Sequence, residues 1–267
     1  MSLLAVEYVR RMRGGSQSQL LRCSDGNYYV VKFQNNPQGV RILANELLAG
    51  RLAVLLGLPV PSMQIIEVTE ELIAHSEEMT VQLKCGRIPL MPGLCCGSQY
   101  PYDSVCPIYD LLPDSLFFRV ENLPDFVSML AFDKWTGNID ARQVVFVRNI
   151  ERGSYRALMI DSGFCFGGTN WGFPDDPRNG LYDRLAVYAT VRGAEAFAPF
   201  LISLEKITFA GMESIAQSIP SEWYLSDAGS LCRLLEELDR RRKSVEKTLW
   251  QTHKRFPQLF PNWTRPA

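Results

Sequence analysis

Two aspartates in the second half of the chain occupy positions that suit acid–base and metal chemistry. Asp140 follows a Gly137–Asn138 turn at the end of a predicted helix and precedes an apolar strand. A carboxylate on a loop held between two such elements can orient a hydroxyl and accept its proton. Asp161 directly follows the apolar strand Ala157–Ile160, and Mg²⁺ prefers oxygen ligands of this kind. The spacing predicts a general base and a metal ligand, with turn-capping Asx motifs as the alternative for both.

A lysine and a glutamate in the first fifty residues supply complementary charges. Lys32 lies inside the apolar strand Val30–Phe33, where a lysine is disfavoured unless its amine reaches water or an anion. Glu46 follows fourteen positions later, on a predicted helix. The alternatives are an edge-strand lysine that faces solvent and an exposed glutamate that favours the helix dipole.

A polar loop with two glycines lies between two predicted strands near the start of the chain. It consists of Gly14, Gly15, Ser16, Gln17 and Ser18. Glycine lets the backbone approach a phosphate, and free N–H groups can cradle its oxygens. A simple turn is the alternative for the loop alone. In order along the chain, the loop, Lys32, Glu46 and the two aspartates supply what phosphoryl transfer requires, which is phosphate positioning and charge neutralisation.

The elements that must position these residues form a strand-rich part followed by a helix-rich part. Hydrophobic patterns and turn residues predict a hairpin over 20–33, a helix over 45–56 that ends at Gly57 and Pro59, strands over 62–68 and 73–83, a loop over 89–102, a helix over 125–135, strands over 143–147 and 156–160, and helices over 205–218 and 227–251. We therefore predict an α+β fold with a first lobe over residues 1–90 and a mainly helical second lobe over 91–267, together one domain.

Composition excludes several classes of protein. With 267 residues, 46% hydrophobic and 21% charged, the chain is an ordinary globular protein. The formal net charge of -1 predicts no direct nucleic-acid binding and no general attraction to a membrane. Seven scattered cysteines without a C-x-x-C pair, and two histidines, argue against a disulfide scaffold and a zinc cluster. Because the N-terminal residues also lack signal-peptide features and no apolar run could span a bilayer, we expect a cytoplasmic protein.

The motifs together resemble the HipA-like kinases, bacterial proteins of the wider protein-kinase and phosphatidylinositol-kinase-like superfamily. The resemblance is carried by Gly14–Ser18, Val30–Phe33, Asn45–Glu46, Gly137–Gln143 and Ile160–Gly163, and it covers roughly residues 5 to 170. It implies a two-lobed protein-kinase-like fold, with an antiparallel sheet and a helix in the first lobe. It also implies that ATP and Mg²⁺ are used and that a hydroxyl accepts the γ-phosphoryl group, protein serine or threonine being favoured.

The resemblance implies roles for the residues that match its motifs. Lys32 binds the α- and β-phosphates, and Glu46 holds the lysine amine. Asp140 is the catalytic base and Asp161 the principal Mg²⁺ ligand. The loop Gly14–Ser18 covers the triphosphate.

One position departs from the family pattern. A metal-binding asparagine commonly stands five positions beyond the catalytic aspartate, and here that position is Val145, whose side chain cannot bind a cation. Either Gln143 or Asn138 supplies the missing oxygen, or the site holds one metal, or activity is impaired. Two further hypotheses therefore stay open, a nucleotide-binding pseudokinase and a kinase for small molecules or lipid head groups.

Two later segments have two interpretations each. Gly167–Phe173 lies where an activation segment is expected, and its aromatic residues are equally compatible with core anchors. The basic run Arg240–Lys243 is more typical of a solvated helix face than of a partner site.

Overall fold

A computed structural model describes residues 2–101 and 106–264 of the chain. Within these residues the strands are β1 (Leu3–Arg11), β2 (Gln19–Cys23), β3 (Tyr28–Lys32), β4 (Met63–Val68), β5 (Thr80–Leu83), β6 (Gly86–Pro89), β7 (Gly93–Gln99), β8 (Ile108–Tyr109), β9 (Gln143–Asn149) and β10 (Ser154–Ile160). The α-helices there are α1 (Arg41–Leu55), α2 (Glu70–Ala74), α3 (Asp125–Thr136), α4 (Leu185–Tyr188), α5 (Ala198–Glu205), α6 (Phe209–Ala216), α7 (Ala228–Arg241) and α8 (Val245–Arg255). The predicted α+β class is confirmed.

A closed barrel with the strand order β1-β2-β3-β7-β4 forms the first part of the fold. The predicted hairpin is its β2–β3 pair, in which Leu21 lies opposite Tyr29. The turn contains Gly26 at φ 83°, a left-handed conformation that glycine adopts at little cost. Alternate strand residues such as Val31 and Ile66 face the barrel interior and are fully buried, which creates the apolar core of this part.

The predicted loop over 89–102 is wrong, because β7 occupies half of it. This strand lies between β3 and β4, and Cys95 and Cys96 are buried. A Cβ atom added to Gly97 would lie 2.5 Å from Ile66 Cγ1, so the glycine permits close packing across the barrel and does not mark a turn. Since β7 lies beyond residue 90, the barrel continues past the lobe boundary expected there. Tyr102, at the end of the predicted loop, lies outside the described residues.

Helix α1 connects the barrel to the rest of the fold. It begins at Arg41, four residues before the predicted start, and Gly57 follows its end with φ 72°. Its leucine and alanine side chains are almost all buried, and they pack in the larger of the two apolar cores together with α3 and α6. The helix can therefore hold a polar side chain at the boundary between the two parts.

The β9–β10 hairpin and α3 form the centre of the second part. Both predicted strands are confirmed, and β9 also pairs with β8. Helix α3 ends at Gly137, whose φ of 60° is left-handed, as expected for a helix C-terminus. Every α3 residue from Met129 to Thr136 is buried, including two charged ones.

The remaining predicted elements differ in part. The predicted strand over 73–83 contains the end of α2 and β5, because the Thr69 hydroxyl accepts a hydrogen bond from the Leu72 amide and starts a helix. The predicted helix over 205–218 is wrong at its start, since Glu205 ends α5 and Thr208 caps α6. The predicted helix over 227–251 is interrupted by a 3₁₀ turn at Arg242–Ser244, which divides it into α7 and α8.

No helix in residues 2–101 and 106–264 has the length and apolar character that crossing a bilayer requires.

Candidate active site

Lys32, the last residue of β3, lies between two carboxylates. Its ammonium group bonds with Glu46 Oε1 on α1 and, at 2.7 Å, with Asp161 Oδ1 after β10. The lysine side chain is 10% exposed, the glutamate side chain 7% and the aspartate side chain 24%. Neither a solvated edge lysine nor an exposed helix-terminal glutamate describes these two residues. The barrel and the second part of the fold thus meet at one ion cluster.

The protonation of this cluster follows from burial and mutual attraction. Burial opposes the charge on Lys32, but Glu46 and Asp161 outweigh it and raise the pKa of the lysine. Burial also disfavours the charge on Asp161, yet the adjacent Lys32 lowers the pKa of that carboxyl. Burial raises the pKa of Glu46, although the nearby charge of Lys32 acts to lower it. With both carboxylates ionised, the cluster carries more negative than positive charge and favours a further cation.

The backbone around Asp161 is arranged to hold its carboxylate there. Asp161 has φ 55°, a left-handed conformation that is uncommon for residues other than glycine. The next amide, of Ser162, donates a hydrogen bond to Glu46 Oε2 at 3.1 Å. A Cβ atom added to Gly163 would lie 2.6 Å from Ile42 Cγ2 and 3.2 Å from Glu46 Oε1, so only glycine allows this close approach to α1.

The loop after α3 orients Asp140. The Asp140 amide donates to Asn138 Oδ1 at 3.1 Å, while Asn138 Nδ2 donates to Asp133 Oδ1 at 3.0 Å. The Asp140 carboxylate accepts from the Ala141 amide at 2.8 Å and from Gln143 Nε2 at 3.3 Å. Asn138 is fully buried with both amide atoms engaged, whereas Gln143 is exposed. Asn138 therefore supports the loop, and Gln143 is the one of the two with an accessible side chain.

The β9–β10 register brings the two aspartates to the same end of a hairpin. Gln143, the first residue of β9, lies opposite Ile160, the last residue of β10. Opposite residues in an antiparallel pair have Cα atoms about 4.5–5.5 Å apart. Asp140 lies three positions before Gln143, and Asp161 directly follows Ile160. Gln143 therefore lies at the same end of the hairpin as both aspartates and bonds with the carboxylate of Asp140, and Val145 shares its face of the strand.

The predicted glycine loop is tied to itself and to the β5–β6 hairpin. Ser16 Oγ and Ser18 Oγ are buried and lie 2.9 Å apart. Gln17 Nε2 donates to the carbonyl oxygen of Gln82 at 2.8 Å, and the Gln82 amide donates to Gln17 Oε1 at 2.8 Å. Within the described residues, the side chains of this loop make no hydrogen bond with Lys32, Glu46 or Asp161. The loop is placed by the barrel, separately from the ion cluster.

A buried ion pair behind the Asp140 loop was not predicted from the sequence. Arg142 donates two hydrogen bonds to the Asp133 carboxylate, and its Nη1 donates to the carbonyl oxygen of Ile160 at 2.6 Å. Burial opposes the charge on Arg142, but Asp133 outweighs it and raises the pKa of the guanidinium. The sequence feature that could have indicated this pair is Asp133, a charged residue in a helix that is otherwise largely apolar.

Segment 162–180 encloses the Asp140 loop from the other side. Asn45, the neighbour of Glu46, donates to the carbonyl oxygens of Gly163, at 2.7 Å, and Gly168, at 3.0 Å, and accepts from Trp171 Nε1 at 2.7 Å. The Gly167 amide donates to the carbonyl oxygen of Gly137 at 3.1 Å. Trp171 is thus a partly buried anchor of this segment, and Asn45, which the resemblance included without a role, positions the segment.

Lys134 fixes the end of the same segment. Its ammonium group donates to the carbonyl oxygens of Pro177, at 2.9 Å, and Asn179, at 2.6 Å. The next amide, of Gly180, donates to the carbonyl oxygen of Asp140 at 2.8 Å. Burial lowers the pKa of Lys134 to about 8, although nearby aspartates oppose this. Lys134 therefore holds the end of segment 162–180, and this end in turn is hydrogen-bonded to the Asp140 loop.

Two solved structures of kinases resemble the fold. The kinase CtkA of Helicobacter pylori, described as proinflammatory, has a TM-score of 0.57 and 16% identity, over 97% of this chain and 99% of that one. The Golgi casein kinase with Mn/ADP bound has a TM-score of 0.54 and 13% identity, over 95% of this chain and 74% of that one. At these identities the likeness shows the fold alone, which is a two-lobed kinase-like fold. No curated protein matches the sequence significantly.

A family profile described as HipA-like kinase matches residues 5–151. The matched range includes β1 from Ala5 onward, β2 to β9, α1 and the Asp140 loop, and it covers more than half of the chain. The predicted resemblance is confirmed, and this chain belongs to the HipA-like kinase family.

Proposed function

We propose that this protein uses ATP and a divalent cation to transfer the γ-phosphoryl group to a hydroxyl, with a protein serine or threonine as the favoured acceptor. The observation that carries the proposal is the contact of Lys32 with both Glu46 and Asp161 across the two parts of the fold. Family membership supports a kinase, and a structure with the same fold binds Mn and ADP. A cytoplasmic location belongs to the same proposal and rests on the odd, scattered set of cysteines.

Lys32 and the glycine loop are the proposed phosphate-binding groups. The lysine is protonated and held by Glu46, so it presents a fixed positive charge to the α- and β-phosphates. The loop Gly14–Ser18 follows β1 and precedes β2, as a loop covering the triphosphate must. The Gln17 amide donates to the carbonyl oxygen of Gly14 at 3.2 Å, and the two serine hydroxyls bond with each other. The other backbone amides of the loop are therefore the groups we propose for binding phosphate oxygens.

Asp161 and Gln143 are the proposed holders of a divalent cation. Both carry oxygen donors at the same end of the β9–β10 hairpin, which suits Mg²⁺ or Mn²⁺. Among the described residues, no group of three His, Cys, Asp or Glu side chains forms a complete metal site. Two protein donors nevertheless fit Mg²⁺, which usually keeps water and phosphate oxygens as its other ligands. When bound, the cation neutralises negative charge on the phosphates.

Asp140 is the proposed general base. Its carboxylate is only partly exposed and receives hydrogen bonds from Ala141 and Gln143, which hold its orientation. An acceptor hydroxyl hydrogen-bonded to this carboxylate gives its proton to Asp140 as its oxygen bonds to the γ-phosphorus. The bond between that phosphorus and the β,γ-bridging oxygen breaks in the same step, and ADP leaves. Asn138 and the buried Arg142–Asp133 pair keep the loop in place during this step.

Val145 favours a second candidate, a pseudokinase that binds nucleotide without turnover. This valine shares a strand face with Gln143 and offers no metal ligand where the family commonly has one. In the first candidate Gln143 replaces that ligand. The two candidates predict the same nucleotide binding and differ in ADP formation.

Calorimetry and ADP release test both candidates. We expect ATP to bind more tightly with Mg²⁺ than without it, and ADP to form when acceptor proteins are present. Asp140→Asn should abolish ADP formation and keep nucleotide affinity, and Asp110→Asn, at an exposed position, should change neither. If the protein binds nucleotide but forms no ADP within hours, the kinase candidate is overturned and the pseudokinase candidate is supported. No binding at millimolar ATP overturns both. A screen of proteins, small alcohols and lipid head groups identifies the acceptor class.

A further inference from the structure

A cleft beside segment 162–180 is lined mainly by charged side chains. It lies between the start of α1, the residues after Asn170 and one face of α7, and its volume is about 530 Å³. The lining residues that matter here are Arg41, Trp171, Arg233, Glu237, Arg240 and Arg241. Ser230, Arg233, Leu234 and Glu237 recur at helical spacing and so face the cleft together. We call this feature the arginine cleft.

The carboxylates of the arginine cleft are already paired. Glu237 accepts two hydrogen bonds from Arg240, at 2.8 Å and 2.5 Å. Asp175 bonds with Arg241 at 2.7 Å, and Arg241 also donates to backbone carbonyl oxygens of α3. Two of the four guanidinium groups are therefore neutralised from within the protein. Arg41 and Arg233 have no such partner in the cleft lining, and both lie near the carboxylate of Asp227 instead.

Arg41 lies in an environment that an anion would improve. It is the first residue of α1, where the helix dipole disfavours a cation. Its guanidinium stacks 4.5 Å from the Trp171 ring centroid and donates to the carbonyl oxygen of Thr169 at 3.2 Å. Its Nε is buried and has no hydrogen-bond partner within residues 2–101 and 106–264. The nearest carboxylate, of Asp227, is 3.7 Å away.

Arg233 adds a second positive charge without a carboxylate of its own. Its side chain is exposed, and its Nη2 donates to the neutral hydroxyl of Ser230 at 2.8 Å. Asp227 is close enough to attract both Arg41 and Arg233, but it also caps α7 through the Ser230 amide at 2.9 Å. One carboxylate thus serves two guanidinium groups and a helix terminus. The arginine cleft retains an excess of positive charge.

The arginine cleft borders the segment that encloses Asp140. A Cβ atom added to Gly168 would lie 3.4 Å from Ile139 Cδ1, and Ile139 is the exposed residue directly before Asp140. Trp171, in the wall of the cleft, follows three residues later. Arg41 donates to the carbonyl oxygen of Thr169, so residues 168–171 connect the cleft with the Asp140 loop. We therefore expect an acceptor whose hydroxyl reaches Asp140 to extend along these residues toward Arg41 and Arg233.

We propose that the arginine cleft binds an anionic group of the phosphoryl acceptor, a carboxylate or phosphate on a protein segment near the hydroxyl that is modified. This inference rests on the proposed function, because only a kinase has a phosphoryl acceptor. Binding of the anion in the cleft is nevertheless independent of catalysis. Arg41 and Arg233 hold the anion. The carboxylates of Asp175 and Glu237 repel it less than free carboxylates would, because Arg241 and Arg240 are bound to them. The expected acceptor is an acidic or phosphorylated segment.

Peptide binding without nucleotide tests the arginine cleft separately from catalysis. The probes are a fluorescent peptide with a central serine flanked by glutamates, the same peptide with phosphoserines in place of the glutamates, and a lysine version. We expect the anionic peptides to bind with an affinity that falls as salt rises, and the lysine peptide not to bind. The ratio of the two anionic affinities distinguishes carboxylate from phosphate. Failure of both anionic peptides to bind at millimolar concentration overturns the proposal.

Charge reversal locates the binding site. Arg233→Glu should weaken binding of the anionic peptides by about tenfold or more and leave ATP affinity unchanged, since its exposed side chain is not part of the ion cluster. Arg152→Glu, at a turn where the side chain is 74% exposed, makes the same change of net charge and should have little effect. Equal losses in the two variants mean general charge attraction and overturn the proposal. If the wild-type protein binds the anionic peptides but not ATP, the proposed function is overturned and the anion-binding role of the arginine cleft stands.

Discussion

Arg142 binds Asp133 through two guanidinium nitrogens, at 2.8 Å and 2.6 Å, and at most 1% of either side chain is exposed. The same arginine donates to the carbonyl oxygen of Ile160, directly before Asp161. One buried side chain therefore links α3, the Asp140 loop and the end of β10. The geometry of both proposed catalytic aspartates depends on this pair.

Replacing Arg142 by lysine should destabilise the protein. A lysine keeps the charge but cannot bind the carboxylate through two nitrogens and reach Ile160 as well. Disrupting a buried pair in this way typically costs about 3 kcal/mol. Urea unfolding of Arg142→Lys should show this loss. The same exchange at the exposed Arg152 should change the free energy of unfolding by less than about 0.5 kcal/mol, and equal effects at both positions would contradict the prediction.

Removing the Lys32 charge should leave two carboxylates without their cation. Lys32→Met should therefore lower the free energy of unfolding by about 3–5 kcal/mol and abolish nucleotide binding. Adding Glu46→Gln removes the more buried of the two carboxylates, so the double variant should be more stable than the sum of the single effects predicts. Urea unfolding of the two single variants and the double variant measures this coupling. Strict additivity would show that the three groups do not act as a cluster.

Gly163 should tolerate no side chain, whereas Gly172 should tolerate one. A Cβ atom on Gly163 would contact Ile42 and Glu46, but one on Gly172 meets no atom within 4 Å. We expect Gly163→Ala to displace Asp161, weaken ATP binding by about tenfold and cost about 1–3 kcal/mol of stability. Gly172→Ala is the matched control and should change neither quantity. Titration calorimetry and urea unfolding measure both, and wild-type behaviour of Gly163→Ala would refute the packing argument.

The pH dependence of stability should report on Lys134. Its pKa is about 8 in the folded protein and 10.5 for an ordinary lysine, so the unfolded chain binds more protons between these values. The contribution of Lys134 to the free energy of unfolding should therefore rise with pH from about 8 to about 10.5, by up to about 1.4 kcal/mol per pH unit.

Comparing wild type with Lys134→Met isolates this contribution. The difference in the free energy of unfolding, wild type minus variant, should grow between pH 7.5 and pH 9.5, which lie on either side of the folded pKa of about 8. Lys243→Met, at an exposed position, is the matched control for the change of side chain and net charge. A constant or falling difference for Lys134→Met contradicts the burial of its amine.

Local patterns were sufficient to predict the elements that carry the proposed site. The β2–β3 hairpin, α1, α3 and the β9–β10 hairpin each have a periodic apolar pattern and a glycine or asparagine at the end. Their order along the chain predicted which residues follow a strand or start a loop. The contact of Lys32 with Asp161 was not predicted, since a separation of 129 positions carries no local signal. The family resemblance implied only that one residue binds the phosphates and the other the metal.

Tertiary contacts explain what the sequence did not predict. Gly97 and the adjacent cysteines resembled a loop because the reason for the glycine is Ile66, on another strand. Two supports of the site, Lys134 and Asn45, have partners that are distant in sequence. The burial of these residues and of Asp133 is decided by the packing of α3 and α1. The 3₁₀ turn between α7 and α8 keeps the apolar stripe buried on both sides, so periodicity alone predicted one helix.

The long separation between Lys32 and Asp161 also bears on how the protein matures. During synthesis the barrel strands emerge first, but the ammonium group gains its second carboxylate only after β10 has formed. Contacts of such high sequence separation form slowly, because loop closure must be completed before they stabilise the chain. The nucleotide binding proposed above therefore requires β10 as well as the barrel, and we expect a nascent chain that has formed only the barrel to lack it.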